Sequence, residues 1–388
     1  VARQGYNSQF TFQADDSPFG FVLNDNYIYY RQTTAELQLL GTALDNRLDW
    51  AVGGFLLRGN TLLSGPIDYI AIHFMQNDRY IDKSESGFAH AVFHLSDAFG
   101  ITGGIRYTHN VKTFTYDHIG SGTPALTASA TTKRVDWTVG LDYKVTPSIM
   151  VYGSVSTGFR PRSVNPRPLT PEQFQAIPGE NLISYEIGTK GDYFNHRLRV
   201  NLTGFYSDYK SHLRSLNGFE CVGSTQDVVF DPTDCAPGSS PVTWFYYVGE
   251  KAKIYGLEGE VTVEPVPDLL INAAFGYNKF KSSGTGVAYF DPSNRIQPNF
   301  NASAGIQYKI PVPGGSLTPR LDWRYQSMMS YNPNPGAPSQ PIYEIPAYSV
   351  FDGRLTYEMD KDWQVSLGVT NLFNKFYYAT KFALTGDR

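Results

Sequence analysis

The sequence predicts an all-β protein: a transmembrane, antiparallel up-and-down β-barrel with short periplasmic turns and long extracellular loops. Residues 134–146 alternate strictly between apolar side chains and polar or glycine positions, and this alternation recurs along the chain. Such a period of two puts the two sets on opposite faces of a strand. Aromatic residues make up 15% of the chain and charged residues only 18%. A barrel with an apolar outside and a wet inside has this composition.

The first half of the chain follows the pattern from strand to strand. Leu37 and Leu39 alternate with polar neighbours before the turn at Asp45-Asn46, and Thr146-Pro147-Ser148 makes a later tight reversal. Asn, Asp, Pro and Ser are the residue types that such turns favour. The predicted strands here are 27–42, 48–58, 80–96, 100–115, 134–146 and 149–159, and the predicted loops are 1–26, 63–79, 117–132 and 160–179.

The second half repeats the pattern with a clearer charged face. Leu321, Trp323 and Tyr325 alternate with charged residues, and the segment 265–268 is a proline-rich turn. The predicted strands here are 182–193, 198–213, 244–264, 269–280, 296–310, 316–326, 348–359 and 363–378, and the predicted loops are 215–243, 281–294 and 328–346.

These segments amount to about 14 strands, joined alternately by short turns and by loops of about 14 to 30 residues, which is typical of outer-membrane barrels. Soluble sandwiches and propellers do not characteristically alternate short turns with long loops. If the long loops are extracellular, both ends of the 14-strand segment lie outside the cell. Bacterial barrels normally begin and end on the periplasmic side, so residues 1–388 are interpreted as a partial barrel domain.

Composition excludes several other classes of protein. There is no apolar run long enough for a transmembrane helix, and the net charge of -4 gives no reason to expect a nucleic acid partner. Motifs for serine hydrolases, zinc proteases and phosphate loops are missing from the sequence. We therefore expect no catalytic residues, no cofactor and no enzyme activity. The chain opens at Val1 without a visible signal peptide and is interpreted as a processed chain or a fragment.

Several segments together resemble the barrel of TonB-dependent outer-membrane receptors. They are 36–39 (ELQL), 48–54 (LDWAVGG), 151–161 (VYGSVSTGFRP), 185–190 (YEIGTK) and 369–375 (VTNLFNK), the last followed by Tyr377 and Tyr378. Each segment alone matches the family only weakly, but the order and spacing of the segments are specific. The likeness covers essentially the whole chain. The segment 369–375 is similar to the penultimate strand of that family.

The resemblance implies a barrel of about 22 strands with a plugged lumen. The N-terminal plug with its TonB-contacting segment, the early strands and the closing strand have no match in this sequence. The implied function is active, TonB-energised uptake of a scarce ligand, such as a ferric siderophore or a similar metal chelate, across the bacterial outer membrane. The implied partners are outer-membrane lipid, lipopolysaccharide, a TonB-type energy-coupling protein acting through the missing plug, and the small-molecule ligand.

Two other functions fit the same barrel pattern. A passive porin-like channel needs no plug, and a surface adhesin or structural barrel needs no transport at all. The residues upstream of Val1 discriminate between them, because a plug domain there supports the receptor. Among receptors, iron chelates, cobalamin, nickel complexes and saccharides all remain open as ligands.

The candidate ligand-binding residues are basic and lie in one long loop. Arg160, Arg162 and Arg167 could hold an anionic chelate through bidentate contacts at the pore mouth, with Tyr152 below them. Loop packing or contact with lipopolysaccharide would account for the same arginines. His90 and His94 stand about 13 Å apart if they lie in a strand, which is too far for one metal ion. No metal site is predicted.

The predicted lumen face carries charges of both signs close together. Such inward charges need water or a polar partner, and their mixing resembles a wall that hydrogen-bonds a folded plug. We therefore expect little passive conductance from the complete protein. The set comprises Arg106, Asp142, Lys144, Arg199, Glu258, Glu260, Arg320, Asp322, Arg324, Asp352, Arg354 and Glu358.

We predict a disulfide between Cys221 and Cys235, the two cysteines of the sequence, across loop 215–243. Closing a loop of about 15 residues should constrain that segment by roughly 3 kcal/mol. Intact-mass measurement with and without reductant checks this pairing. Two alkylatable thiols in the unreduced protein would contradict it.

Overall fold

The computed structural model describes residues 1–13, 22–69, 72–165, 174, 176–220, 242–282, 297–330, 344–359 and 363–379. The strands among them are β1 (Ala2–Gln13), β2 (Val22–Ala43), β3 (Leu48–Tyr69), β4 (Ile72–His94), β5 (Phe99–Tyr116), β6 (His118–Ile119), β7 (Leu126–Thr146), β8 (Ile149–Arg160), β9 (Ser163–Val164), β10 (Ala176–Ile177), β11 (Glu180–Tyr193), β12 (Leu198–Glu220), β13 (Val242–Val263), β14 (Leu269–Ser282), β15 (Phe300–Tyr308), β16 (Ile310–Val312), β17 (Gly315–Gln326), β18 (Met329–Ser330), β19 (Glu344–Ile345), β20 (Tyr348–Met359) and β21 (Trp363–Val369).

One antiparallel sheet of 17 strands contains all the long strands, and each long strand pairs with the next along the chain. The short strands β6 and β16 extend it at β4 and β17. Within the described residues, β1 pairs only with β2 and β21 only with β20, so this part of the sheet does not close. The predicted all-β, up-and-down architecture is confirmed. Across the described ranges, no helix is long and apolar enough to cross a membrane.

The prediction that residues 1–26 form a loop is wrong. Ala2–Gln13 pairs with β2 along its whole length, from Ala2 opposite Thr34 to Gln13 opposite Leu23. The described part therefore has one more long strand than the sequence predicts. The first strand consequently runs away from the short-turn end, not toward the periplasm. Apolar and polar residues do not alternate clearly in this segment, because both of its faces lie beyond the apolar part of the sheet. The sequence therefore does not reveal the strand.

Several strands also extend much further than predicted. The expected loop 63–79 is instead the upper part of the hairpin of β3 and β4, and β7 begins at Leu126 inside the expected loop 117–132. The strands β4 and β12 have 23 residues each. At about 3.3 Å per residue they are about 75 Å long, whereas the apolar band of a membrane barrel is only about 25 Å tall. The sheet thus projects far beyond the membrane on its loop side.

The last strand is shorter than the predicted 363–378. It ends at Val369, and Asn371 and Asn374 then adopt φ angles of 52° and 48°. Asparagine tolerates this left-handed region better than most residues do. The Asn371 side chain accepts a hydrogen bond from the Lys375 backbone N–H at 2.8 Å and donates one to the Lys375 carbonyl at 3.0 Å. These bonds stabilise a turn in place of a strand.

The two faces of the sheet differ near the short turns. The outer face carries a continuous band of exposed apolar side chains, which we call the apolar belt. Its members include Leu37, Leu56, Tyr107, Val135, Leu141, Tyr185, Leu202, Leu257, Tyr277, Leu321 and Leu355. The opposite, lumen face carries the predicted charged set. Because water cannot cover such a belt at low cost, lipid must contact it.

The assignment of faces predicts different costs for the same substitution. Leu141 is exposed on the belt, so Leu141→Arg should lower the free energy of unfolding in bilayers by about 2–4 kcal/mol. Ser154 lies on the lumen face directly opposite Glu186, so Ser154→Arg should cost much less. Denaturant unfolding in lipid vesicles measures both. Equal losses would contradict the assignment.

Candidate functional site

The extracellular mouth is the only place where the described residues form a hydrophobic core. Phe114, Tyr116, Ala130 and Val164 are buried together there. The first three belong to β5 and β7 of the wall, and Val164 belongs to β9. The chain after β8 therefore folds back over the lumen face of the wall. Tyr80, Leu126, Ala128 and Phe174 pack around this cluster.

The folded-back segment is a small hairpin fixed by polar contacts as well. Its strands β9 and β10 pair through Val164 with Ala176 and Ser163 with Ile177. The hydroxyls of Tyr80 and Ser163 are 2.8 Å apart, and the Arg162 backbone N–H donates to the Thr132 hydroxyl at 2.9 Å. These contacts hold the hairpin against the lumen face of the wall.

Two of the predicted ligand-binding arginines lie at the root of this hairpin. Arg160 ends β8, and its side chain is 60% exposed with Glu180 at 4.0 Å. Arg162 is exposed two residues later. Both side chains are therefore exposed to solvent at the extracellular mouth and are not buried in the protein. Arg167 lies outside the described residues, as do Cys221 and Cys235, so their predicted roles remain predictions.

Tyr152 lies far from Arg160 and Arg162. It lies eight residues before Arg160 on the same strand, which is about 26 Å at about 3.3 Å per residue. Its hydroxyl donates to Glu186 at 2.8 Å and lies 2.9 Å from the Thr203 hydroxyl, while the Lys190 ammonium stands 5.6 Å from its ring centre. Tyr152 thus belongs to the lumen wall near the short turns.

A buried polar cluster that no sequence motif marks lies beside the hairpin. His118 and Asp78 are both 2% exposed, and their Nε2 and Oδ2 atoms are 3.3 Å apart. The His118 ring stacks between Phe74 and Tyr116, at centroid distances of 3.9 and 3.8 Å. Asp78 also accepts hydrogen bonds from Gln76 and the Asp117 backbone N–H. Because these residues come from β4, β5, β6 and the residue between β5 and β6, only the fold brings them together.

The lumen wall satisfies many of its charges internally. Arg320 forms a bridge to Asp322, Arg324 pairs with Asp352 at 2.7 Å, and Lys309 pairs with Glu358 at 2.9 Å. Nearer the turns, Arg199 pairs with Asp192 at 2.7 Å. Charges of both signs thus lie close together on this wall and form ion pairs with one another. His90 and His94 also lie on this wall, and His94 contacts Asp49 at 2.8 Å.

Long strands, short turns at one end, an outer apolar belt and a charged lumen define a barrel-type protein of the bacterial outer membrane. The family model described as "TonB dependent receptor-like, beta-barrel" matches residues 2–372. The chain therefore belongs to the barrel domain of the TonB-dependent receptors. These proteins are transport receptors of the Gram-negative outer membrane, and this chain is placed in that membrane.

Two curated relatives are similar over large parts of the chain. The ferripyoverdine receptor of Pseudomonas aeruginosa is 26% identical over 62% of the chain and 27% of its own length. The pesticin receptor of Yersinia enterocolitica is 20% identical over 93% of the chain and 49% of its own length. The chain thus spans between about a quarter and a half of these relatives.

Solved structures share the fold. The ferric yersiniabactin uptake receptor FyuA from Yersinia pestis superposes with a TM-score of 0.75 and 18% identity, over 97% of this chain and 53% of that one. The copper transporter OprC superposes with a TM-score of 0.66 and 14% identity, over 94% of this chain and 55% of that one. Proteins whose printed names refer to different metals therefore share this architecture.

The hairpin at the mouth predicts a local effect of one substitution. Val164 is 2% exposed in the cluster, so Val164→Asp buries a carboxylate without a partner and should release the hairpin from the wall. Limited proteolysis of the receptor in detergent should then cleave between Arg160 and Glu180 much faster. Arg162→Gln, at an exposed position, serves as the control and should leave the cleavage rate unchanged. Unchanged cleavage of Val164→Asp would show that burial of Val164 does not hold the hairpin.

Proposed function

We propose that the complete protein imports a ferric siderophore, or a similar anionic metal chelate, by active transport across the outer membrane. The observation that carries this proposal is the pair of exposed guanidinium groups of Arg160 and Arg162 at the mouth of a TonB-dependent receptor barrel. Arginine presents a planar fork of donors that matches carboxylates and other anionic oxygens. The printed names of several relatives, among them the ferripyoverdine and ferric yersiniabactin receptors, support an iron chelate as cargo.

We propose that energy reaches this barrel through a plug domain and a TonB-type partner. The family membership of the barrel supports such a plug. The lumen wall supports it as well, because bridges such as Arg324–Asp352 present a fixed array of donors and acceptors to whatever fills the lumen. A passive channel works without a plug, so conductance separates the two functions.

The transport test uses the full-length receptor. In planar bilayers it should show almost no steady conductance. In cells, accumulation of radiolabelled iron from a panel of ferric siderophores should require the proton gradient. A large steady conductance, or uptake indifferent to the gradient, would favour the passive channel and reject active import.

A separate prediction concerns Arg160 and Arg162. The double variant Arg160→Gln, Arg162→Gln should raise KM for chelate uptake roughly tenfold or more, because the loss of even one charge-assisted hydrogen bond costs about 1.5–3 kcal/mol. Lys279 is exposed on the outer face, so Lys279→Gln is the matched loss of charge outside the mouth and should leave KM unchanged. Equal KM values for the double variant and the unmodified receptor would remove these arginines from the binding site.

A further inference from the structure

A row of mostly aromatic residues crosses the lumen face at one level of the sheet. Its members, each directly opposite the next, are Tyr6 on β1, Tyr30 on β2, Thr61 on β3, Tyr80 on β4 and Phe114 on β5. Phe114 is buried beneath the β9–β10 hairpin, and the Tyr80 hydroxyl lies 2.8 Å from the Ser163 hydroxyl of that hairpin. The row therefore faces the lumen.

The row lies beyond the membrane on the long-loop side. Thr61 follows Leu56 of the apolar belt by five residues, which is about 16 Å along β3. Contact with lipid therefore does not account for these rings, which face inward at the extracellular mouth.

The hairpin covers only one end of the row. Phe114 is 3% exposed, and its ring centre lies 5.7 Å from that of Phe174. At the other end Tyr6 is 50% exposed, and its ring centre lies 5.1 Å from that of Tyr30. Tyr30, Thr61 and Tyr80 are half-buried. An aromatic surface thus remains accessible from the mouth.

Thr61 is a short side chain between two tyrosines, and it forms the floor of a slot. Neighbouring strands are about 4.8 Å apart, so the backbones at Tyr30 and Tyr80 stand about 10 Å apart on either side of Thr61. A flat ring above Thr61 would lie about 5 Å from each tyrosine ring, within the range of about 4.5–7 Å that aromatic pairs favour. The slot therefore has the width that one aromatic ring requires.

The floor of the slot is two residues long. Gly59, the next residue of β3 on the same face, has no side chain, and a Cβ there would meet nothing nearer than the Asp82 Cβ at 3.7 Å. Leu57 and Leu63 follow on the same face in the two directions. Two residues of a strand cover about 7 Å, so the slot has room for a single ring.

The end of the slot near Gly59 is polar, but its charge is compensated. Asp82 lies opposite Gly59. The Lys112 ammonium stands 3.7 Å from the Asp82 carboxylate, and the Asn110 amide donates to it at 2.7 Å. Stacking, and not net charge, therefore selects the group that enters the slot.

Arg162 lies within reach of a molecule bound in the slot. Its backbone N–H donates to the Thr132 hydroxyl on β7 at 2.9 Å. Three strand spacings separate β7 from β3, which is about 14 Å. A chelate with several arms spans that distance, so one arm can occupy the slot while an anionic group of the same molecule meets the guanidinium.

We propose, building on the function proposed above, that this slot selects ferric chelates that carry flat aromatic groups, such as catechol or phenol rings, over chelates that carry none. One ring of the chelate stacks between Tyr30 and Tyr80 above Thr61. The anionic part of the same molecule extends toward Arg162. The slot thus narrows the cargo from anionic chelates in general to those with aromatic rings.

The test measures the Kd of the purified full-length receptor for a panel of ferric chelates and, in cells, the import of each. The probes with rings are a ferric tris-catecholate and a ferric phenolate chelate. The ring-free probes are a ferric trihydroxamate and ferric citrate. Probes with rings should bind more tightly and be imported in preference.

A variant that fills the slot tests the position directly. Thr61→Phe should weaken binding of the probes with rings roughly tenfold, because contacts with both tyrosines are lost. Its melting temperature should not fall, since cross-strand aromatic pairs stabilise a sheet. Asn60→Phe adds the same ring to the outer face at the same level, so it is the matched control and should leave every Kd unchanged. Tyr30→Leu removes one wall of the slot and should weaken binding of the probes with rings alone.

The inference is overturned if Thr61→Phe binds the probes with rings normally, or if Asn60→Phe loses as much affinity. A lower melting temperature of Tyr30→Leu with an unchanged Kd would show that the row packs against protein, and would reject the slot. Import of ring-free probes alone, driven by the proton gradient, would reject the slot and leave the proposed function intact. Failure to import any member of the panel would instead reject the proposed function.

Discussion

The structure depends on the need to hydrogen-bond every backbone N–H and C=O group inside a membrane that offers no water. In this chain the antiparallel ladder meets that need, with each long strand bonded to its neighbours in sequence. Once the ladder is fixed, successive side chains must point alternately to lipid and to lumen. The belt residue Leu141 and the lumen residue Asp142 are consecutive in the chain and differ in character for this reason.

The ladder continues beyond the membrane, where the constraint on the side chains changes. Both faces of the sheet then meet water, and polar residues such as Asn60 and Arg58 appear on the face that was apolar below. The extra height brings inward-facing residues of β4, β5 and β7 around a space that the β9–β10 hairpin enters. The only hydrophobic core of the described residues lies there, around Phe114 and Val164. Arg160 at the end of β8 and Arg162 just before β9 lie next to this hairpin.

The two faces of the sheet differ in whether like-charged side chains that lie opposite one another form ion pairs. On the lumen face, Asp322 and Asp352 lie opposite one another, and Arg320 and Arg324 form ion pairs with them. On the outer face above the belt, Arg58 and Lys83 lie opposite each other without such a bridge among the described residues. On the lumen face, charges of opposite sign therefore compensate one another within the protein.

The sequence by itself determined the architecture within the membrane. Alternation in 134–146 and the turns at Asp45-Asn46 and at 146–148 suffice to predict the strands of the belt. A polar side chain at a lipid-facing position is energetically costly, so every second residue there is apolar. Outside the belt that cost is absent, so the residues of β1 and of the upper parts of β3, β4 and β7 show no clear alternation, and the sequence predicts loops there. Only the tertiary structure decided which distant residues meet. Cross-strand register placed Gly54 beside Gly87 and Arg58 beside Lys83, and folding of the hairpin buried Val164 against Phe114. It also separated Tyr152 from Arg160, because a strand holds residues eight positions apart at full extension.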